Sequence, residues 1–141
     1  MLRTLVAALA LASASASASG SAAEPAAGFD WTPAREQSVV EIVTTDADGD
    51  LRETSVWIVV LDDSGYVRTN DSAWLANIRR GSPIRLRAGA LEQSVRASEI
   101  DDAATRERVE EAFKAKYGTF QRMMSALRMR EPSVLQLTPA P

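Results

Sequence analysis

The chain has 141 residues, a formal net charge of −3, and neither cysteine nor histidine. Without cysteine there are no disulfides and no thiolate chemistry, and without histidine the usual hydrolase triads and the commonest metal ligand are missing. The negative charge argues against a nucleic-acid partner. Because cysteine and histidine are missing, the chemistry that remains is that of carboxylates or of a bound organic cofactor.

The first 23 residues have the layout of a secretory signal peptide. Arg3 precedes a short apolar run and an Ala/Ser stretch that ends at Ala23, which is the order that such signals require. The apolar run is much shorter than the roughly 20-residue helix that spans a bilayer, so we expect no membrane anchor. The pattern predicts a secreted or periplasmic protein cleaved after Ala23, with Ala16 or Ala18 as alternative cleavage sites. A flexible Ala/Ser linker is the alternative to a signal peptide.

Residues 24–37 are rich in Ala, Pro and Gly and are predicted to be a linker, which leaves residues 38–141 as one domain. A first strand is predicted from Val39 to Thr45. The acidic cluster at 46–50 predicts a hairpin turn, because its glycine stands at the fourth position and a calcium loop of the helix–loop–helix type needs one at the sixth. The return strand is predicted from Arg52 to Leu61, and its unbroken apolar second half predicts a central strand covered on both faces.

The remaining elements alternate between strands and helices. Trp74, Leu75 and Ile78 lie at helical spacing and predict a short helix between strands. Val109, Phe113 and Tyr117 predict a later helix that ends at Gly118 and is followed by a second helix. The other predicted strands are Tyr66–Thr69, Ile84–Arg87, Leu91–Ala97 and Ser133–Thr138. The fold class is therefore α+β, a six-stranded barrel with a short helix between strands and one or two carboxy-terminal helices.

Two polar segments are candidates for a binding site. Arg68 to Ser72 places hydroxyl and amide groups between a strand and a helix start, a position that favours an anion. Helix capping by Asn70, Asp71 or Ser72 explains the same residues without a ligand. The second candidate is Arg52 to Ser55 at the start of the return strand, for which simple surface alternation is the alternative.

The neighbouring aromatic and basic residues leave a similar choice open. Trp57 and Trp74 are either core residues or ligand platforms. Arg79 and Arg80 are either a solvated helix end or partners of a phosphate. We assign no catalytic side chain and no metal ligand.

The order of these elements resembles the FMN- and deazaflavin-binding split-barrel superfamily, which includes pyridoxamine 5'-phosphate oxidase-like proteins, deazaflavin-dependent nitroreductases and the DUF2255 domain. The likeness is carried by an RxTxVW-like start at 52–57, a TNxS step at 69–72 and a WxxN…P pattern at 74–83. The resemblance implies a homodimer with FMN or deazaflavin F420 in an interface cleft. The residues that it implies for the cofactor are Arg52, Thr54, Ser55, Trp57, Arg68, Thr69, Asn70, Ser72, Trp74, Asn77 and Arg79.

Together with the signal-peptide pattern, the resemblance implies an exported oxidoreductase-like protein that exchanges a hydride between its cofactor and a small organic acceptor. The alternative is a cofactor-free binding or accessory module of the cell envelope. It is suggested by Ala73, since oxidase-like members often carry a basic pair just after the Ser that corresponds to Ser72. A third hypothesis is a haem-handling barrel, for which Tyr66, Tyr117 or a methionine would have to bind the iron.

Overall fold

The computed structural model describes residues 28–126 and 132–141, and for 119–126 it describes the backbone only. The predicted signal peptide and the first four residues of the predicted linker, 24–27, lie outside these ranges. The described residues form three helices, α1 (Thr32–Glu36), α2 (Ala73–Arg79) and α3 (Ala103–Ala126). They also form seven strands, β1 (Val40–Thr45), β2 (Leu51–Val56), β3 (Val59–Leu61), β4 (Ser64–Thr69), β5 (Ile84–Ala88), β6 (Leu91–Glu99) and β7 (Ser133–Pro139).

All seven strands belong to one antiparallel sheet in the order β2-β1-β5-β6-β7-β4-β3. The two edge strands, β2 and β3, are consecutive in the chain and are separated only by Trp57 and Ile58. Because two residues span only about 7 Å, the two edges of the sheet must come close together. The sheet is therefore curled into a half-barrel with a seam between β2 and β3.

The predicted number of strands, six, is wrong. The described residues form seven strands, because the chain crosses from one edge of the sheet to the other at Trp57 and Ile58. The predicted return strand, Arg52 to Leu61, is broken at Trp57 and Ile58, and both of its halves are edge strands instead of one central strand. The apolar run is unbroken for another reason. Val56 and Ile58 enter the barrel interior, whereas Val59 and Trp57 pack in a second cluster with α3.

The barrel interior holds the main hydrophobic core. Ile42, Val67, Leu86, Leu135 and Leu137 are fully buried in it, and Trp74 and Leu75 add the apolar face of α2 to the same cluster. Burial of this kind contributes about 25 cal/mol for each Å² of apolar surface removed from water.

The segment predicted as a linker contributes to the same core. Helix α1 lies within it, and Trp31 and Ala34 are buried. The Trp31 ring lies against Gly65 so closely that a Cβ at position 65 would stand 2.7 Å from Cζ3 of the indole. Gly65 is therefore required for this packing.

Helix α3 packs on the outer face of β3, β4 and β7. Val109 and Phe113 meet Val59, Tyr66 and Val134 in the second apolar cluster. The predicted helix end at Gly118 is confirmed, since this residue has φ 61° and ψ −142° and divides α3 into two helical segments. Among the described residues, none of the helices combines the length and the apolar character that a bilayer crossing requires.

Candidate functional site at the barrel seam

The seam leaves a cleft beside the end of β4. The β3–β4 ladder ends at the Val59–Tyr66 pair, whereas β4 continues to Thr69. Before Val59 the chain, Trp57 and Ile58, no longer pairs with β4 and leads back to β2. A space of about 500 Å³ lies between this crossover and the end of β4. This volume lies within the range of about 300–1,000 Å³ that is typical of small-molecule sites. The residues that line this seam cleft are Thr54, Ser55, Val56, Trp57, Arg68, Thr69, Asn70, Asp71, Ser72, Trp74 and Phe113.

Arg68 lies where the cleft meets helix α3. Its side chain is only 6% exposed, its Nη1 donates to Glu110 Oε1 at 2.7 Å, and its guanidinium carbon lies 3.9 Å from the centre of the Phe113 ring. The Nε–H is buried and finds no acceptor among the described residues. Because a buried polar group is normally paired, this donor is an exception among the residues that line the cleft.

Aromatic rings form one wall of the cleft. Trp57 stacks on Tyr117 with ring centres 4.5 Å apart and an interplanar angle of 8°, and Tyr117 in turn stacks on Phe113 at 5.7 Å. Trp57 and Phe113 both line the cleft. Such a stack presents flat apolar surface and suits a planar ligand.

The backbone of the crossover is held by two neighbouring residues of α3. The N–H of Ile58 donates to the Tyr117 hydroxyl at 3.0 Å, and the Lys116 ammonium donates to the carbonyl oxygens of Ile58 and Ala34 at 2.8 and 3.1 Å. Burial lowers the pKa of Lys116 and raises the pKa of Tyr117. The hydrogen bonds that both side chains make to Ile58 fix the backbone next to Trp57, the residue that precedes Ile58.

The corner at the start of α2 is closed by its own hydrogen bonds. Ser72 Oγ accepts from the N–H of Leu75 at 3.3 Å and lies 3.0 Å from Thr69 Oγ1. Thr69 Oγ1 donates its one proton to the carbonyl of Asn70 at 2.8 Å, so the proton between the two hydroxyls comes from Ser72. The capping interpretation of Ser72 is therefore the one that the structure shows, although both side chains also line the cleft.

The structure brings together most of the predicted site residues. The segment at 54–57 on β2 and the segment at 68–74, which runs from β4 into α2, meet across the seam. The predicted members that line the cleft are Thr54, Ser55, Trp57, Arg68, Thr69, Asn70, Ser72 and Trp74. Trp74 is at the same time a core residue with 4% exposure.

Arg52, Asn77 and Arg79 do not line the cleft. Arg52 binds Asp46 at 2.7 Å and Arg79 binds Glu99 at 2.6 Å. Asn77 is buried and donates to both Thr44 Oγ1 and Asp46 Oδ1, at 3.0 and 2.7 Å. Hydrogen bonds to its carboxylate lower the pKa of Asp46, and the bond from Arg52 has a larger effect than the bond from Asn77. Arg52 therefore stabilises the β1–β2 hairpin, Asn77 connects α2 to that hairpin, and Arg79 connects α2 to β6.

Val56, Asp71 and Phe113 also line the cleft but were not among the residues predicted for the cofactor, although Asp71 lies in the candidate segment Arg68 to Ser72. Val56 and Asp71 are adjacent to predicted members, so the lining extends along the same two segments. Phe113 comes from α3, whose apolar face was predicted but whose partner strand was not. A helix pattern indicates which face is buried and does not identify the strand against which it packs.

Three comparisons with known proteins place this geometry in context. A family model described as "Uncharacterized protein conserved in bacteria (DUF2255)" matches residues 33–137. No curated protein matches the sequence. Several solved structures share the fold at low sequence identity.

Among them, the haem storage protein HutZ from Vibrio cholerae has a TM-score of 0.64 and 13% identity, covering 78% of this chain and 87% of the other. An F420-H2-dependent reductase, FDR-A, has a TM-score of 0.58 and 16% identity, covering 72% and 94%. A FAD-binding protein from Mesorhizobium loti has a TM-score of 0.57 and 12% identity, covering 78% and 84%.

Proposed function

The chain belongs to the DUF2255 family, and on that premise we propose that it binds a flavin or deazaflavin ring in the seam cleft and serves as an oxidoreductase. A flavin-type cofactor supplies hydride exchange with a small organic acceptor. The part of the protein is to bind and orient that ring, and no side chain is assigned as an acid or base.

The observation that carries this proposal is the buried Nε–H of Arg68, which has no acceptor among the described residues. Leaving such a donor unpaired costs about 1–3 kcal/mol, and more for a charged group. Flavin and deazaflavin rings carry carbonyl oxygens and ring nitrogens at their edges, and either atom type accepts from this donor. The ligand therefore satisfies the buried side-chain donor that is left without a partner in the described part of the chain.

The other lining residues suit the same ligand class. Trp57, held by Tyr117 and the anchored crossover, lines the cleft together with Phe113, and aromatic side chains suit a planar ring. Thr54, Ser55 and Asn70 are available to a polar side chain attached to the ring. The shared fold of an F420-H2-dependent reductase and a FAD-binding protein supports this choice of ligand.

Haem binding has less support, although HutZ shares the fold. The lining residues of the seam cleft, as far as the chain is described, include no His, Cys, Tyr or Met. These are the side chains that ligate haem iron from the protein. A flat ring without an axial ligand is therefore the better match.

The proposal includes a homodimer. β2 is an edge strand whose Leu51 is 72% exposed, and edges of this kind are prone to pair with a second chain. Light scattering of the full chain at high concentration tests this point, with a dimer mass expected. A monomer mass would contradict it.

Export is proposed on the pattern of residues 1–23 alone. Amino-terminal sequencing of the protein recovered from the native cell envelope is expected to begin at Glu24. Recovery of the intact chain from the cytoplasm alone would contradict this proposal.

The binding experiment titrates the full chain with riboflavin, FMN and a deazaflavin while flavin or deazaflavin fluorescence is followed. We expect saturable binding and a higher melting temperature with the bound compound, because selective binding to the folded state stabilises it. Arg68→Lys keeps a charge near Glu110 but removes the Nε donor, and we expect it to weaken binding about tenfold, the effect of one hydrogen bond to a charged group.

Arg52→Lys is the matched control, because Arg52 lies outside the cleft and binds Asp46. It is expected to leave the affinity unchanged. If none of the three compounds binds at high micromolar concentration, the cofactor-free module replaces this proposal. An equal effect of the two lysine variants would show that the ring binds elsewhere.

A further inference from the structure

We propose that the seam cleft selects a ligand without a phosphate, and that Glu110 is the residue that sets this specificity. The inference rests on the proposed function, since it specifies which form of a flavin-type ligand the same cleft takes. It also runs against the expectation that the corner at 68–72 holds an anionic tail.

The charge of Arg68 is already compensated. Its Nη1 binds Glu110 Oε1 at 2.7 Å and its guanidinium lies over the Phe113 ring. A phosphate that approached this cation would have to compete with a carboxylate that is already in place. The unpaired Nε–H can still serve a neutral acceptor such as a ring carbonyl.

No other cation of the described chain replaces Arg68 in the cleft. The charged residues that line it are Arg68 and Asp71, and Glu110, which lies outside the lining, already pairs with Arg68. Of the two arginines that the sequence suggested as phosphate partners, Arg79 binds Glu99 and Arg80 donates to Asn77 Oδ1. Arg52, which the resemblance implied for the cofactor, binds Asp46. The chain as a whole also carries a net charge of −3, which adds no attraction for an anion.

The hydroxyl protons at the corner are also in use. The Thr69 hydroxyl donates to the Asn70 carbonyl, and the contact between Ser72 and Thr69 uses the proton of Ser72. A phosphate monoester carries close to two negative charges at neutral pH and depends on charged donors for tight binding. At this corner the hydroxyl groups of Thr69 and Ser72 instead donate to acceptors of the protein itself, and neither group is charged.

Riboflavin and FMN differ only by the phosphate, so their affinities for the full chain measure this selectivity directly. We expect wild-type protein to bind riboflavin at least as tightly as FMN. Glu110→Gln is expected to tighten FMN about tenfold, because the charge of Arg68 is then no longer neutralised and attracts the phosphate from across the cleft, and to leave riboflavin unchanged.

Glu111→Gln is the matched control. It removes the same formal charge one residue away, where Glu111 is 67% exposed and pairs with Lys114. Its effect on FMN is expected to be small, since exposed charges are screened by salt. An equal response of the two variants would overturn the assignment to Glu110.

The wild-type comparison needs no variant and decides the selectivity by itself. FMN bound more than about tenfold more tightly than riboflavin, or 1.4 kcal/mol, would overturn this inference and leave the proposed function intact. Binding of neither compound would overturn both.

Discussion

The backbone N–H of Ile58 donates to the phenolic oxygen of Tyr117 at 3.0 Å, across a sequence separation of 59 residues. Ile58 lies in the two-residue crossover that joins the edges of the half-barrel, and the Tyr117 ring stacks on Trp57 in the wall of the seam cleft. One residue of α3 therefore holds both the backbone of the seam and the aromatic surface beside it.

Tyr117→Phe keeps the ring stack and removes the hydroxyl. We expect the free energy of unfolding to fall by about 1–3 kcal/mol, because the Ile58 N–H is left without this acceptor. Urea denaturation followed by circular dichroism measures the change. Tyr66→Phe is the matched control, since the hydroxyl of Tyr66 has a longer contact, at 3.3 Å from Gln136 Nε2, as its one hydrogen bond to the described residues. A loss no larger than that of the control would contradict this role of Tyr117.

Gly65→Ala tests the packing of Trp31 against β4. The added methyl group would lie 2.7 Å from the indole, and such overpacking in a core costs about 1–3 kcal/mol. We expect a lower urea midpoint, together with a change in tryptophan fluorescence. Gly28→Ala is the control, because nothing lies within 4 Å of a Cβ at that position. Unchanged midpoints for both variants would show that Trp31 is not held in this place.

The Asp46 carboxylate predicts a specific acid sensitivity. Bonds from Arg52 and Asn77 lower its pKa from 3.8 in the folded protein, so the stabilisation is present above pH 3.8 and is lost as the pH falls through the lowered pKa. We expect Asp46→Asn to be less stable than wild type at neutral pH. The difference should narrow below pH 3.8 in urea midpoints measured across pH.

Asp63→Asn removes an exposed carboxylate from a different turn and controls for net charge. The difference in urea midpoint between Asp63→Asn and wild type is not expected to narrow in this way below pH 3.8. A gap between wild type and Asp46→Asn that stays constant down to pH 2 would contradict the role given to Asp46.

Much of the fold was predictable because it depends on local patterns. The hairpin turn at 46–50 is confirmed, with Gly49 at φ 94°, and so are the short helix before Gly81 and the helix break at Gly118. The break of the return strand at Trp57 was not predictable. An unbroken apolar run is compatible both with one strand covered on two faces and with a chain that passes from one edge of a sheet to the other.

The site was predictable only where its residues are neighbours in sequence. The segments at 54–57 and 68–74 were identified, and the topology brings them together across the seam. Arg52 was misplaced because its partner, Asp46, lies on the same hairpin, where opposite charges can pair without any ligand. Phe113 and Glu110 come from α3, and their contacts with Arg68 depend on a tertiary register that no local pattern contains.

The central claim is that the Nε–H of Arg68 donates to a flavin-type ring in the seam cleft. The most direct measurement follows the Arg68 Nε–H resonance by NMR as the full chain is titrated with riboflavin, with Arg68→Lys identifying the signal by its loss. The account predicts a saturable shift of this resonance, with the same dissociation constant as the quenching of riboflavin fluorescence. Riboflavin binding that leaves the Arg68 Nε–H resonance unmoved, or the absence of any binding, would contradict it.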